Sequence, residues 1–190
     1  WITAPVLLCL CALGPAYAQD AREIQQLMLE AHDQMVSAGR LVTQATETKN
    51  GTLATRKRTE AAALFSKATG AYTKVLAALP GLKGVAKEAI VETQRIALYN
   101  LACAHAIGGE LDSSLKRLEQ AHQHGYGLVQ GNLLAMDQDP DLRPLQVDPR
   151  FDELKERMNR SYRLASRRNS TPRTHIPAAG GESGALLVVL

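Results

Sequence analysis

Aromatic residues are nearly missing from this chain: one Trp, two Phe and five Tyr in 190 residues. Ala, Leu, Gln, Glu and Lys are plentiful instead, a composition that favours helices. Cysteine is as sparse. Of three, Cys9 and Cys11 lie in the N-terminal apolar stretch, so beyond it only Cys103 remains and no intrachain disulfide can form there. The fold must stand on its apolar core alone. Charge of one sign is lacking too: 22 Lys and Arg against 19 Asp and Glu leave +3, too mild to argue for a nucleic-acid partner. No apolar run reaches the roughly 20 residues that a membrane-crossing helix needs. An initiator Met is absent, and no Lys or Arg precedes the first apolar stretch.

That stretch, from Ala4 to Leu13, has the size of a signal-peptide core. Pro15 breaks it, and Ala16-Tyr17-Ala18 supplies the small-x-small cleavage pattern. Residues 1–18 are therefore expected to be a signal peptide cleaved near Ala18, with an exported product (periplasmic or extracellular) that begins near Gln19. A buried apolar helix is the competing account, and Pro15 speaks against it. Cys9 and Cys11 lack the small preceding residue of a lipoprotein site, so no lipid anchor is expected. About 170 residues remain, enough for one domain and no membrane span.

Periodicity then divides the chain. Ile24, Leu27, Met28, Ala31, Met35, Ala38, Val42 and Ala45 recur every three or four positions, predicting one helix over 20–48. Asn50-Gly51 reads as the turn that closes it. A second helix is expected over 53–79, with Leu64, Phe65, Ala68, Tyr72, Val75, Leu76 and Leu79 on its stripe and Pro80-Gly81 after it. A third covers 85–107 and ends at Gly108-Gly109; a fourth covers 111–124 and ends at Gly125. An irregular stretch follows. Asp148 as N-cap and Pro149 at the first helical position open a last helix that buries Phe151, Leu154 and Met158. From Ser166 the chain turns polar and aperiodic, so 166–190 reads as a linker followed by a truncated apolar strand, "ALLVVL".

Helix pairs joined by short Gly turns invite a search for repeats. Leu98-x2-Leu101-Ala102-x2-His105, then Gly109, Leu111, Ser114-x3-Leu118 and Ala121, resemble a tetratricopeptide repeat (TPR). Ala68-x3-Tyr72 and Pro80 resemble the second half of a preceding unit, and the segment from Asp139 to Phe151 is similar to the closing segment of bacterial TPR-like proteins. The Trp, Gly and Tyr of the pattern are Leu98, Ala102 and His105 here, and Tyr126 stands where a second Pro is usual. The two units are 46 residues apart (Tyr72 to Leu118) against about 34 in a regular array. The resemblance covers about residues 60–160. It implies an all-α, right-handed solenoid of antiparallel helix pairs over 19–165, here with an added N-terminal helical hairpin. It implies a monomeric module that binds a protein or peptide. Ile96, Tyr99, Asn100, Cys103 and Ile107 are its groove candidates, Asn100 holding a peptide backbone and Tyr99 packing beside it. Their competing role is contact with the N-terminal hairpin.

No catalytic set, cofactor or metal site is expected. Gly181-x-Ser183-x-Ala185 nearly matches a nucleophile elbow, but such an elbow must follow a strand and open a helix, and here a linker precedes it. Asp137, Asp139, Asp141 and Asp148 are spaced like an EF-hand loop, yet Leu142 takes the place that needs Gly, so caps and turns are the better reading. His122 and His124 are two apart and diverge on a helix. His105 is expected to be packed and hydrogen-bonded, His32 to lie on the surface, and Cys103 to be a small buried hydrophobe. Arg160, Arg163, Arg167, Arg168 and Arg173 read as a solvated basic run. The ending "THIPAAGGESGALLVVL" is similar to the approach to the first core strand of a secreted α/β-hydrolase of the esterase or depolymerase type. That resemblance implies a chain continuing past Leu190, in which case these residues are the helical N-terminal region of an exported hydrolase.

Overall fold

A computed structural model describes residues 18–170, with side chains from 20 to 168. The signal segment, the Ser183 elbow, Arg173 and the Leu/Val ending therefore lie outside the described residues. What is described is all-α: six helices, three short 3₁₀ turns and, among these residues, no strand. None of the helices is long and apolar enough to cross a membrane.

The first two helices, α1 (Ala18–Glu47) and α2 (Gly51–Ala78), form an N-terminal hairpin with the most extensive contact of any helix pair. Its seam has a simple rule. Ile24, Ala31, Ala38 and Ala45 are buried at intervals of seven on α1, and Ala54, Ala61, Ala68 and Val75 at intervals of seven on α2. A seven-residue repeat keeps one stripe facing its partner along two long helices. Alanine at most of these places lets the two backbones approach closely. Lys57 near the start of α2 reaches Gln44 near the end of α1, fixing the pair as antiparallel. Asn50 is the N-cap of α2 rather than part of a turn that merely ends α1: its side chain accepts from Leu53 N–H at 3.0 Å.

The third and fourth helices, α3 (Lys87–Ile107) and α4 (Leu111–Gln123), form the second tight pair. The joint is a Schellman cap: Gly109 sits at φ +81°, its N–H bonds Ala106 O, and Glu110 N–H bonds His105 O at 2.8 Å. His105 Nδ1 meets Glu110 Oε2 at 2.8 Å, tying the end of α3 to the start of α4. Ser114 is fully buried and donates to Ala102 O at 2.7 Å, so the hydroxyl is satisfied where the helices lie closest.

Beyond α4 come a turn at Tyr126–Leu128, α5 (Gln130–Gln138), a turn at Pro140–Leu145 and α6 (Pro149–Ser170). Asp148 accepts from Arg150 N–H at 3.0 Å, as an N-cap residue should. The α6 helix does not stop at Ser166 but runs to Ser170, because nothing in Ser-Arg-Arg breaks a helix. Gly127 is required by its neighbour: a Cβ there would lie 2.9 Å from Met158 Cβ on α6.

Three apolar clusters result. One, with Ile24, Ala31, Ala68, Tyr72, Val75, Leu79, Ala97 and Leu101, joins the hairpin to α3. A small one, Ala38, Ala61 and Phe65, lies along the hairpin. The largest gathers Leu98, Ala102, Leu115, Leu118, Tyr126, Leu142, Leu145, Phe151, Leu154 and Met158. Leu101 and Leu118, both fully buried, thus belong to different clusters: Leu101 faces the hairpin and Leu118 faces the C-terminal elements. Each Leu→Ala change should cost about 2–5 kcal/mol. Their costs should add to within about 0.5 kcal/mol in the double mutant, as expected of sites with no shared packing. Urea denaturation of the four proteins measures this, and a coupling above about 1 kcal/mol would put the two side chains in one cluster.

Candidate functional site

A cleft of about 1130 Å³ opens between α1, α3 and the segment that leads into the Pro140–Leu145 turn. On α1 its wall is built from His32, Met35, Val36, Gly39, Arg40, Val42, Thr43 and Gln44, beside the alanine seam that holds α2. At Gly39 a Cβ would meet nothing within 4 Å, so the space in front of this helix is open. His32 is half-buried in this wall rather than a plain surface residue.

The opposite wall comes from α3. Tyr99, Asn100, Cys103 and Ile107 all line the cleft. Ile96 does not: it is buried about three turns before the end of that stripe and is absent from the lining. Tyr99 is only 5% exposed and stacks on Tyr126, ring centres 4.4 Å apart and planes at 10°. It is a supporting wall, and its truncation to Ala would remove a core ring as well as a cleft contact. Asn100 is half-buried and lines the cleft.

The floor is polar. Asp139 works in two directions: Oδ1 accepts from Asp141 N–H at 2.9 Å, starting the turn, while Oδ2 accepts from the Tyr99 hydroxyl at 2.6 Å. Cys103 Sγ lies 3.9 Å from that same Oδ2. Sγ and carboxylate oxygens of Asp139 and Asp141 all fall within 4.8 Å of one another. Burial, then the nearby charges of Asp139 and Asp141, pushes the Cys103 thiol far up. Burial also raises the Tyr99 and Tyr72 hydroxyls. Tyr72 lines the cleft from α2, and its hydroxyl is buried with no partner in hydrogen-bond geometry.

Of the EF-hand spacing, Asp139 and Asp141 come together here, while Asp137 pairs with Lys155 and Asp148 with Arg150. Sequence spacing missed the meeting of Cys103 with these carboxylates, since 36 residues separate Cys103 from Asp139. His122 and His124 lie at the end of α4, away from the floor. Arg160, Arg163, Arg167 and Arg168 ride on α6.

No protein-family model, curated protein or solved structure matches this chain. The helix pairs packed in chain order are compatible with a helical repeat.

Asp141 carries a prediction of its own. Burial, and then the charge of Asp139, raises its carboxyl from 3.8 to about 6. The folded chain therefore holds this proton more tightly than the unfolded chain does, and stability from Asp141 falls as pH rises from 3.8 through about 6. In a chelating buffer, the melting temperature of the wild type should decline across that window relative to Asp141→Asn. Parallel curves for the two proteins would contradict it.

Proposed function

We propose that the chain is a TPR-like interaction module, exported through residues 1–18, that takes an extended peptide of a protein partner in the α1/α3 cleft. The cleft itself carries the reading. Its volume exceeds the roughly 300–1,000 Å³ of small-molecule pockets and suits a peptide segment. Met35, Val36 and Ile107 offer apolar contact along its length, while the Asn100 amide offers both a donor and an acceptor, the pair that one peptide unit needs. The framework behind these groups is rigid, because α3 is packed on both sides, so little ordering entropy is lost on binding.

Gly39 makes the proposal testable without disturbing the core. Gly39→Ala should stabilise α1 by up to about 1 kcal/mol and leave the cleft usable. Gly39→Phe should place a ring in the open space. Peptides selected from a displayed random library on the wild-type chain should bind Gly39→Ala normally. They should lose at least about tenfold in affinity to Gly39→Phe and to Asn100→Ala, equivalent to about 1.4 kcal/mol. Selected peptides that bind all four proteins equally would remove the cleft as the binding site.

A further inference from the structure

We infer that Cys103, Asp139 and Asp141 are the donor set of a zinc-binding site at the floor of the cleft. This does not rest on peptide binding. Three donors from two distant parts of the chain converge there, with donor atoms within 4.8 Å of one another. In a tetrahedral zinc shell, with metal–sulfur about 2.3 Å and metal–oxygen about 2.0–2.2 Å, donors stand roughly 3.5 Å apart. Sulfur and the nearest Asp139 oxygen are already at 3.9 Å, so the set needs to draw in by little more than an ångström.

The donor chemistry chooses the metal. Two carboxyl groups alone would suit a hard cation such as calcium, which wants six to eight oxygens. A cysteine sulfur beside them favours a borderline metal, and zinc accepts both sulfur and carboxylate. Two further groups fit. Tyr99 donates to Asp139 Oδ2 at 2.6 Å and so orients that carboxylate, as outer-shell partners of metal ligands do. The Tyr72 hydroxyl supplies the independent sign. Its residue is 0% exposed, it has no hydrogen-bond partner, and it lines the same cleft as Cys103, Asp139 and Asp141. A buried hydroxyl left unpaired is costly and rare, and a metal-bound water or a fourth ligand position would satisfy it.

The test uses the full chain with Cys9→Ser and Cys11→Ser, so that Cys103 is its only thiol. After chelation and dialysis, zinc chloride is titrated by calorimetry, and cobalt chloride is titrated by absorption. One equivalent of zinc should bind at micromolar affinity or tighter, and cobalt should give a thiolate charge-transfer band in the near ultraviolet. Tyr99→Phe and Tyr72→Phe should each weaken zinc by about tenfold. Cys103→Ser, Asp139→Asn and Asp141→Asn should weaken it further, with circular dichroism showing an intact fold. The cobalt spectrum of unmutated Cys103 stands even where a variant unfolds. Absence of the thiolate band, binding unchanged in Cys103→Ser, or calcium binding as tight as zinc would each overturn the site. No peptide is present in these titrations, so their failure leaves the peptide reading untouched.

Discussion

One helix of this protein has almost no solvent face, and the rest is arranged to cover it. In α3, Thr93, Ile96, Ala97, Leu98, Tyr99, Leu101, Ala102, Cys103, Ala104 and Ala106 are all buried. A helix with so many buried positions needs packed neighbours on several sides. The hairpin covers the Ala97/Leu101 side, α4 covers Leu98 and Ala102, and the Pro140–Leu145 turn lies against the side of Tyr99 and Cys103. Alanine at 97, 102, 104 and 106 is what lets so many neighbours fit around one rod. With so few aromatic rings, the chain fills space through closeness of backbones rather than through bulk.

Much of this was legible because helix punctuation is local chemistry. Gly109 and Gly125 end helices as left-handed glycines, and the Asp148-Pro149 pair opens one. The repeat-like residues Leu98, Ala102, Ser114, Leu118 and Ala121 are buried where a tight helix pair requires small and large side chains. Other features depended on partners that the local pattern cannot name. Periods of three, four and seven overlap, so the alanine stripe of α1 looked like any amphipathic face until α2 showed the matching stripe. Asn50 read as a turn former because caps and turns use the same side chain. Ser166 looked like the start of a linker because polarity alone does not separate a solvated helix end from a loop.

The cleft floor was the least legible part, and for a physical reason. Cys103 on an Ala-rich helix looks like a small hydrophobe, and Asp139 looks like a cap; each is a sound reading of its own neighbourhood. Asp139 is indeed a cap, yet the same carboxylate also accepts the Tyr99 hydroxyl and faces the Cys103 sulfur. A polar cluster in a region otherwise built from Ala, Leu and Tyr carries a desolvation cost that an apolar floor would not. Where a sequence breaks its own packing rule without local compensation, a functional demand is the usual cause.

The α1 helix carries the same conflict in its backbone. Its alanine stripe is optimised for the seam with α2, with Ala31 and Ala38 fully buried. One residue past Ala38, Gly39 sits mid-helix where a larger side chain would be free to project and where glycine weakens the helix by about 1 kcal/mol relative to alanine. Neither a turn nor a positive φ demands it, since its backbone is helical. The seam does not demand it either, because that role belongs to the neighbouring alanine. What Gly39 does preserve is open volume facing Asn100, Cys103 and Ile107 on α3. Two walls therefore give up local stability toward the same space, α1 through a missing side chain and the α3 side through buried polar groups. On the α1 side the concession is helix propensity, and on the α3 side it is the desolvation of buried polar groups.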